Sequence, residues 1–159
     1  MEHRYTATVL WKNAGAGFID GKYSRAHKWR FDCGIELDAS ASPLGVPLPY
    51  SRVEAVDPEE AYVAAVSSCH MLTFLFLASK KKVAVSSYID DAVGIMTPNT
   101  AGKLWVSKVT LRPKIVFEGN VPTPEIVQTL HDRAHEECYI ANSVRTEITV
   151  ECTDPAAET

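Results

Sequence analysis

Cys69 and Cys138 are the residues of this sequence best placed to do chemistry. Cys69 stands in an apolar stretch with Ser67, Ser68 and His70 beside it. A cysteine in an apolar helix is otherwise a small packing residue. Unsatisfied buried polar groups are costly, so these polar neighbours indicate a polar pocket around the thiol. A reactive thiol also needs a partner that resolves its oxidised form, and Cys138 is the candidate.

The element that carries Cys69 is predicted to be a long helix from Asp57 to about Lys80. Asp57 can serve as the N-cap, Pro58 suits the first helical position, and Glu60 completes a capping box. The middle of the helix is apolar on nearly all sides, which is typical of a buried helix or a membrane span. Its apolar stretch of 18 residues contains several polar side chains, and no second span follows. We therefore expect a buried central helix, covered in part by a second subunit.

Cys138 is predicted to lie at the end of a second helix, which begins at the Thr-Pro-Glu sequence of residues 123–125. Its apolar residues fall on one helical face: Val127, Leu130, Ala134 and Cys138. If the two helices pack through their inward faces, the sulfurs of Cys69 and Cys138 could meet.

The remaining segments are predicted to be strands and loops of an α+β fold. Strand-like residues occupy 5–11, 27–37, 89–96, 104–118 and 146–152, and loops occupy 38–49 and 97–102. Pro113 inside one strand indicates an edge or a bulge. We expect residues 1–159 to form a single domain whose tails, 1–4 and 154–159, fray.

Composition excludes several classes of function. The chain has 159 residues, a net charge of −4 and a pI near 5.7, which does not favour nucleic acid or anionic lipid as a partner. Its four cysteines are scattered and form no Cys-x-x-Cys pair, unlike a secreted disulfide scaffold or a zinc ribbon. The N-terminus has no apolar signal core. We therefore expect a cytoplasmic protein that acts without a membrane.

The sequence DPEE at residues 57–60, followed by Cys69, resembles the signature of the OsmC/Ohr family of osmotically inducible and organic hydroperoxide resistance proteins. The family has a cysteine ten residues after the glutamate of its (Asn/Asp)-Pro-Glu motif, and Glu59 and Cys69 keep that spacing. The segments CYIANSV at 138–144 and EITV at 147–150 resemble the second cysteine, the connector and the closing strand of the family. The resemblance spans roughly residues 50–152.

This resemblance implies an intertwined homodimer, with two long central helices covered by antiparallel β-sheets. It also implies a peroxidase without a cofactor that reduces organic hydroperoxides. Cys69 would be the peroxidatic thiolate, and Cys138 would resolve its sulfenic acid as an intrachain disulfide. A thiol reductant, which is a dihydrolipoyl group in part of the family, would restore both thiols.

The family activates its thiolate with an arginine that the motif glutamate holds. Glu59 matches that glutamate, and Arg52 is the first candidate for the arginine, with Arg25 and Arg30 as rivals. Glu59 and Cys69 are ten residues apart, which is about 15 Å along a helix and about 80° around it. We therefore predict that Glu59 and its arginine act on the thiol of the partner chain.

Other interpretations of single residues remain open. His131, His135 and Cys138 could offer three metal ligands from one helix, although the residues between them are those of a solvated face. His70 projects about 100° away from Cys69, so a satisfied buried or interface histidine is favoured over a base for that thiol. Cys33 and Cys152 have no place in the family pattern and are interpreted as packing residues.

The substrate and the activity also have alternatives. An alkyl peroxide is expected to be preferred over hydrogen peroxide, because an apolar lining is available from Met71, Leu72, Phe74 and Phe76. A protein of this family could instead bind a small apolar ligand without catalysis. A cysteine hydrolase is disfavoured, because no orienting His–Asp or His–Asn pair is apparent.

Overall fold

The structure, a computed structural model, describes residues 2–13, 15 and 17–152 and the backbone of Ala156–Ala157. It consists of two compact units, Met1–Ala61 and Tyr62–Thr159. The boundary between them falls inside the first helix, α1 (Pro58–Lys80).

The first unit contains a three-stranded antiparallel sheet of β1 (Ala7–Leu10), β2 (His27–Phe31) and β3 (Glu36–Ala39), with β2 in the centre. The prediction of one extended segment over residues 27–37 is wrong, because a hairpin turn divides it. Gly34 adopts a φ of 86° in that turn, a left-handed conformation that glycine adopts without a steric cost. The amide of Phe31 donates to the carbonyl of Ile35 across the turn, at 3.0 Å.

The first unit also holds the start of α1, and the predicted capping box is confirmed. The amide of Glu60 donates to Asp57 Oδ1 at 2.7 Å, and the amide of Asp57 donates to Glu60 Oε2 at 3.1 Å. These two bonds satisfy backbone donors that a helix N-terminus leaves free. Glu59 therefore lies in the first turn of α1, as predicted.

The second unit contains two three-stranded sheets. Its strands are β4 (Val85–Asp90), β5 (Val93–Pro98), β6 (Leu104–Leu111), β7 (Pro113–Phe117), β8 (Glu147–Val150) and β9 (Ala156–Ala157). One sheet has the order β4-β7-β9 and the other β5-β6-β8. Both sheets are mixed, because β8 runs parallel to β6 and β9 runs parallel to β7. The predicted antiparallel sheets of this unit thus each include one parallel pairing.

The two long strands predicted over 89–96 and 104–118 are each broken into two. The breaks lie between β4 and β5 and at Arg112, so both chain segments change sheets. Asp90 Oδ1 accepts a hydrogen bond from the backbone amide of Arg112 at 2.6 Å, which joins the two breaks. Pro113, which has no N–H, is the first residue of β7, a position that suits proline.

The second helix, α2 (Pro124–Glu137), has the predicted bounds, and a short 3₁₀ turn follows it (Ala141–Ser143). The main core of the second unit is formed by α1, β7 and α2: Phe74, Leu77, Ala78, Ile115, Phe117, Val127, Leu130 and Ala134. By length and composition alone α1 could cross a membrane, a test that the core helix of a soluble protein also passes. Within the second unit α1 has the contacts of a core helix.

The predicted fraying of the tails is tested only in part. Residue 1, residues 153–155 and residues 158–159 lie outside the described residues. Ala156–Ala157 lie inside the predicted frayed segment, yet their backbone forms β9 beside β7.

Candidate active site

The structure brings Cys69 and Cys138 together inside the second unit. Cys69 is half-buried in the middle of α1, and Cys138, 1% exposed, directly follows α2. Both are free thiols. The two thiols are close enough for Cys69 to raise the pKa of the Cys138 thiol. The two helices pack through their inward faces and bring the two sulfurs close together, as the sequence suggested.

The turn after α2 supplies backbone donors to both sulfurs. The amide of Ile140 donates to Cys69 Sγ at 3.5 Å, and the amide of Ala141 donates to Cys138 Sγ at 3.5 Å. The side-chain amide of Asn142 donates to the carbonyl oxygens of Glu136 and Cys138, at 2.7 and 3.0 Å. These bonds satisfy carbonyls that the end of a helix leaves free, and they hold the turn against Cys69.

The two thiols differ in environment. Burial is the main cause that raises the pKa of the Cys138 thiol, and the neighbouring Cys69 thiol raises the pKa further. The amides of Ala141 and Ile140 offset part of this effect. Cys138 is therefore held as a protonated thiol beside a more accessible sulfur. Such a pair can form a disulfide and can be reduced again.

His70 is the satisfied buried histidine that the sequence predicted, and its partner is His131 on α2. His70 Nε2 and His131 Nδ1 are 2.9 Å apart, and each residue is 1% exposed. Burial is the main cause that lowers the pKa of both rings from 6.5 to about 4. Both rings are therefore neutral at pH 7.

Sequence reasoning missed this role of His131, which it placed on a solvated face. The signal was available, because His131 follows Val127 by four residues and precedes Cys138 by seven, so it shares their apolar face.

The metal alternative has no geometric support. His131 and Cys138 are buried, whereas His135 is exposed, so the three side chains do not converge. Within the part of the chain that the structure describes, no group of three His, Cys, Asp or Glu residues is arranged to hold a metal ion. His131 is instead committed to His70.

The three candidate arginines lie in the first unit, as does Glu59. Arg30 forms an ion pair with Glu36 at 3.0 Å. Arg25 donates to two backbone carbonyls and lies over the ring of Tyr23 at 3.8 Å. Arg52 is exposed, and within the described part of the chain its guanidinium has no hydrogen bond or ion pair. Arg52 is thus the candidate whose charge is not already engaged.

Two interpretations from the sequence need correction. Cys33 and Cys152 are exposed in the chain, so the interpretation of both as packing residues is wrong. Phe74 is 0% exposed and belongs to the core, so it does not line an open pocket. Leu72 and Phe76, by contrast, are 61% and 54% exposed.

Comparison with known proteins identifies the family. A family model described as OsmC-like protein matches residues 51–153. The chain therefore belongs to the OsmC-like family. None of the curated proteins that were compared matches it.

Solved structures agree with this assignment. An OsmC-like protein of unknown function from Vibrio cholerae is 51% identical over 96% of this chain and 100% of its own, with a TM-score of 0.92. An organic hydroperoxide resistance protein from Elizabethkingia anophelis is 21% identical over 99% and 100%, with a TM-score of 0.67. An OsmC-like protein from Mycoplasma pneumoniae is 16% identical over 98% and 99%, with a TM-score of 0.74. The last two similarities show the fold alone, which is the OsmC-like α+β fold.

Proposed function

We propose that this protein is a thiol peroxidase that reduces organic hydroperoxides, with Cys69 as the peroxidatic and Cys138 as the resolving cysteine. The observation that carries the proposal is that the turn after α2 bonds both sulfurs, with the Ile140 amide donating to Cys69 Sγ and the Ala141 amide to Cys138 Sγ. Family membership supports it, because organic hydroperoxide resistance proteins share the fold. The different exposure of the two sulfurs fits the two roles, since the first must meet the peroxide and the second only its neighbour.

The reaction follows from the pair. The Cys69 thiolate attacks the terminal oxygen of the hydroperoxide, so an S–O bond forms and the O–O bond breaks. The alkoxide takes up a proton from solvent and leaves as an alcohol. Cys138 then attacks the sulfenic acid of Cys69, its thiol proton leaves with the hydroxide as water, and a disulfide forms. An external dithiol returns two electrons and two protons, which regenerates both thiols.

Activation of Cys69 requires a positive group, because an ordinary thiol with a pKa near 8.5 is only a few per cent ionised at pH 7. We assign this role to Arg52, which would pair with Glu59 in the homodimer and act on the thiol of a partner chain. Within the described residues of one chain, Arg52 and Glu59 form no ion pair. The spacing of about 15 Å between positions 59 and 69 on one helix supports the partner chain as the target. Arg25 and Arg30 are weaker candidates, because each already has partners.

A homodimer is part of the proposal. One face of α1 presents exposed residues at helical spacing: Ala65, Ser68, Leu72 and Phe76. A second copy would cover this face. Leu72 and Phe76, three and seven positions beyond Cys69, could contact the alkyl group of a peroxide. The expected location is the cytoplasm, where a dihydrolipoyl protein or another thiol could serve as the reductant.

The test counts thiols. Reduced protein treated with cumene hydroperoxide should lose two thiols for each chain, and Cys69→Ser should lose none of this pair. Cys33→Ser and Cys152→Ser are matched controls that should keep the loss, because both thiols are exposed and, within the described residues, neither is hydrogen-bonded to Cys69 or Cys138. Normal peroxide consumption by Cys69→Ser would overturn the assignment. Faster turnover of hydrogen peroxide than of tert-butyl hydroperoxide would overturn the substrate class.

A further inference from the structure

The hydrogen-bonded ring pair of His70 and His131 joins the same two helices that bring the cysteines together. The two rings are nearly coplanar, with 6° between their planes and 5.3 Å between their centroids. His70 directly follows Cys69 on α1, and His131 lies two helical turns before Cys138 on α2. Each histidine is thus rigidly tied, through its own helix, to one of the two sulfurs.

We propose that His70 and His131 are positioning residues, whose hydrogen bond sets the approach of Cys138 to Cys69 and so controls disulfide formation. This inference rests on the proposed function. It concerns the second chemical step, because neither ring is hydrogen-bonded to a thiol within the described part of the chain. The pair acts through the helices that it connects.

The first argument is that stability alone does not explain this pair. His131 Nε2 is buried and has no hydrogen-bond partner within the described part of the chain. An unsatisfied buried polar atom carries a desolvation cost, and replacing both partners of a buried bond with apolar groups can be neutral or stabilising. The ring of Phe74 packs against His131 at 4.4 Å, so the surroundings suit an apolar side chain. A histidine here costs stability, and a role in alignment accounts for it.

The second argument is directional. The core between α1 and α2 consists of apolar contacts, which are not directional and allow helices to slide or rotate slightly. A hydrogen bond requires a short distance and a nearly linear donor angle, so it fixes the separation and the orientation of the groups that it joins. Within the described residues, one side-chain hydrogen bond joins α1 to α2, and it lies between His70 and His131. The position of α2 along α1 in turn determines where the Ile140 amide meets Cys69 Sγ.

The third argument concerns the charge state. Both rings have a pKa of about 4, so the bond joins two neutral rings and shares one proton at the pH of most cells. The charged groups that face the pair come from two elements, with Asp90 and His135 acting on His70 and Asp132 acting on His131. None of these groups replaces the bond between the rings.

The experiment measures the disulfide equilibrium of the full chain against reduced and oxidised dithiothreitol. This equilibrium reports how well the fold aligns the two sulfurs. His131→Leu should lower the equilibrium constant about tenfold, the equivalent of one lost hydrogen bond. His131→Asn should stay within about threefold of the parent, because its amide can occupy the position of Nδ1 and keep the bond.

A packing control separates alignment from stability. Val127→Ala removes buried apolar volume from the same face of α2 and keeps both histidines. It should lower the urea midpoint of unfolding at least as much as His131→Leu, yet leave the disulfide equilibrium nearly unchanged. If Val127→Ala and His131→Leu weaken the disulfide equally, or if His131→Asn fails to restore it, the positioning role is refuted.

A second readout uses the peroxide reaction itself. After one equivalent of cumene hydroperoxide, His131→Leu should form the Cys69 sulfenic acid at the parental rate but convert it to the disulfide about tenfold more slowly. Trapping with dimedone measures this lifetime. An equal loss in both steps would overturn the inference. If the parent protein forms no sulfenic acid, the proposed function fails, whereas the dithiothreitol equilibrium still tests the alignment.

Discussion

Two polar pairs connect α1 to the segment formed by α2 and Cys138, and they differ in burial and in reactivity. Cys69 and Cys138 meet where backbone amides approach the sulfurs and where Cys69 is half-buried. His70 and His131, one residue and seven residues away along the chain, are fully buried and neutral. The comparison teaches that neighbouring positions on the same helices can serve reactivity or alignment, depending on which face they occupy.

The largest expected effect comes from Cys138→Ser, which breaks the reactive pair. The first oxidation of Cys69 should persist, because attack on the peroxide does not use Cys138. Multiple turnover with a dithiol reductant should fall by more than about 100-fold, since an oxidised thiol without a resolving partner is slow to return and can oxidise further. Steady-state assays and mass spectrometry of the sulfur check this. Turnover at the parental rate would remove Cys138 from the mechanism.

Phe74→Ala breaks the packing around the buried pair. Phe74 is 0% exposed and contacts the rings of both His131 and Tyr88. Truncating a buried phenylalanine costs about 3–5 kcal/mol of unfolding free energy. Urea unfolding measures the loss, with Tyr5→Ala as the control, because Tyr5 is 88% exposed in the chain. The control should change stability by less than about 1 kcal/mol, and equal losses would contradict the assigned packing.

The pH dependence of stability should distinguish the buried histidine pair from the cysteine pair. The pKa of each ring is about 4 in the folded chain and 6.5 in the reference state, so the unfolded chain binds more protons between these values. The free energy of unfolding is therefore highest above pH 6.5 and decreases as the pH falls toward 4. The decrease amounts to about 3 kcal/mol for one ring.

Urea unfolding between pH 7 and 4.5 measures this slope. The double variant His70→Leu/His131→Leu should flatten it, whereas His3→Gln, at an exposed residue, should not. A slope unchanged in the double variant would mean that other groups cause it.

The smallest effect is expected from Asn142→Ala, which loosens the turn beside the sulfurs. It removes two hydrogen bonds to the end of α2, so disulfide formation should slow about threefold, with about 1 kcal/mol of lost stability. Ser143→Ala is the matched control, because Ser143 Oγ donates to the carbonyl of Tyr139 instead. A larger effect in the control would shift the supporting role to Ser143.

The sequence predicted what local signals determine. Both helices, the capping box and the approach of the two thiols follow from caps, periodicity and apolar faces. The strand breaks at Arg112 and between β4 and β5 were missed, because they depend on a side chain of one segment bonding the backbone of another. The partner of His70 was missed for another reason, because the charged residues around His131 assigned it to a solvated face although it lies on the apolar face of α2.

The hydrogen bond from residue 140 to the sulfur of Cys69 has a consequence for sequence variation. Its donor belongs to the main chain, so exchanging the isoleucine side chain for another leaves the donor in place. Proline is the exception, because it has no amide hydrogen. Homologous proteins could therefore vary freely in side-chain chemistry at this position while keeping the same contact with their reactive sulfur.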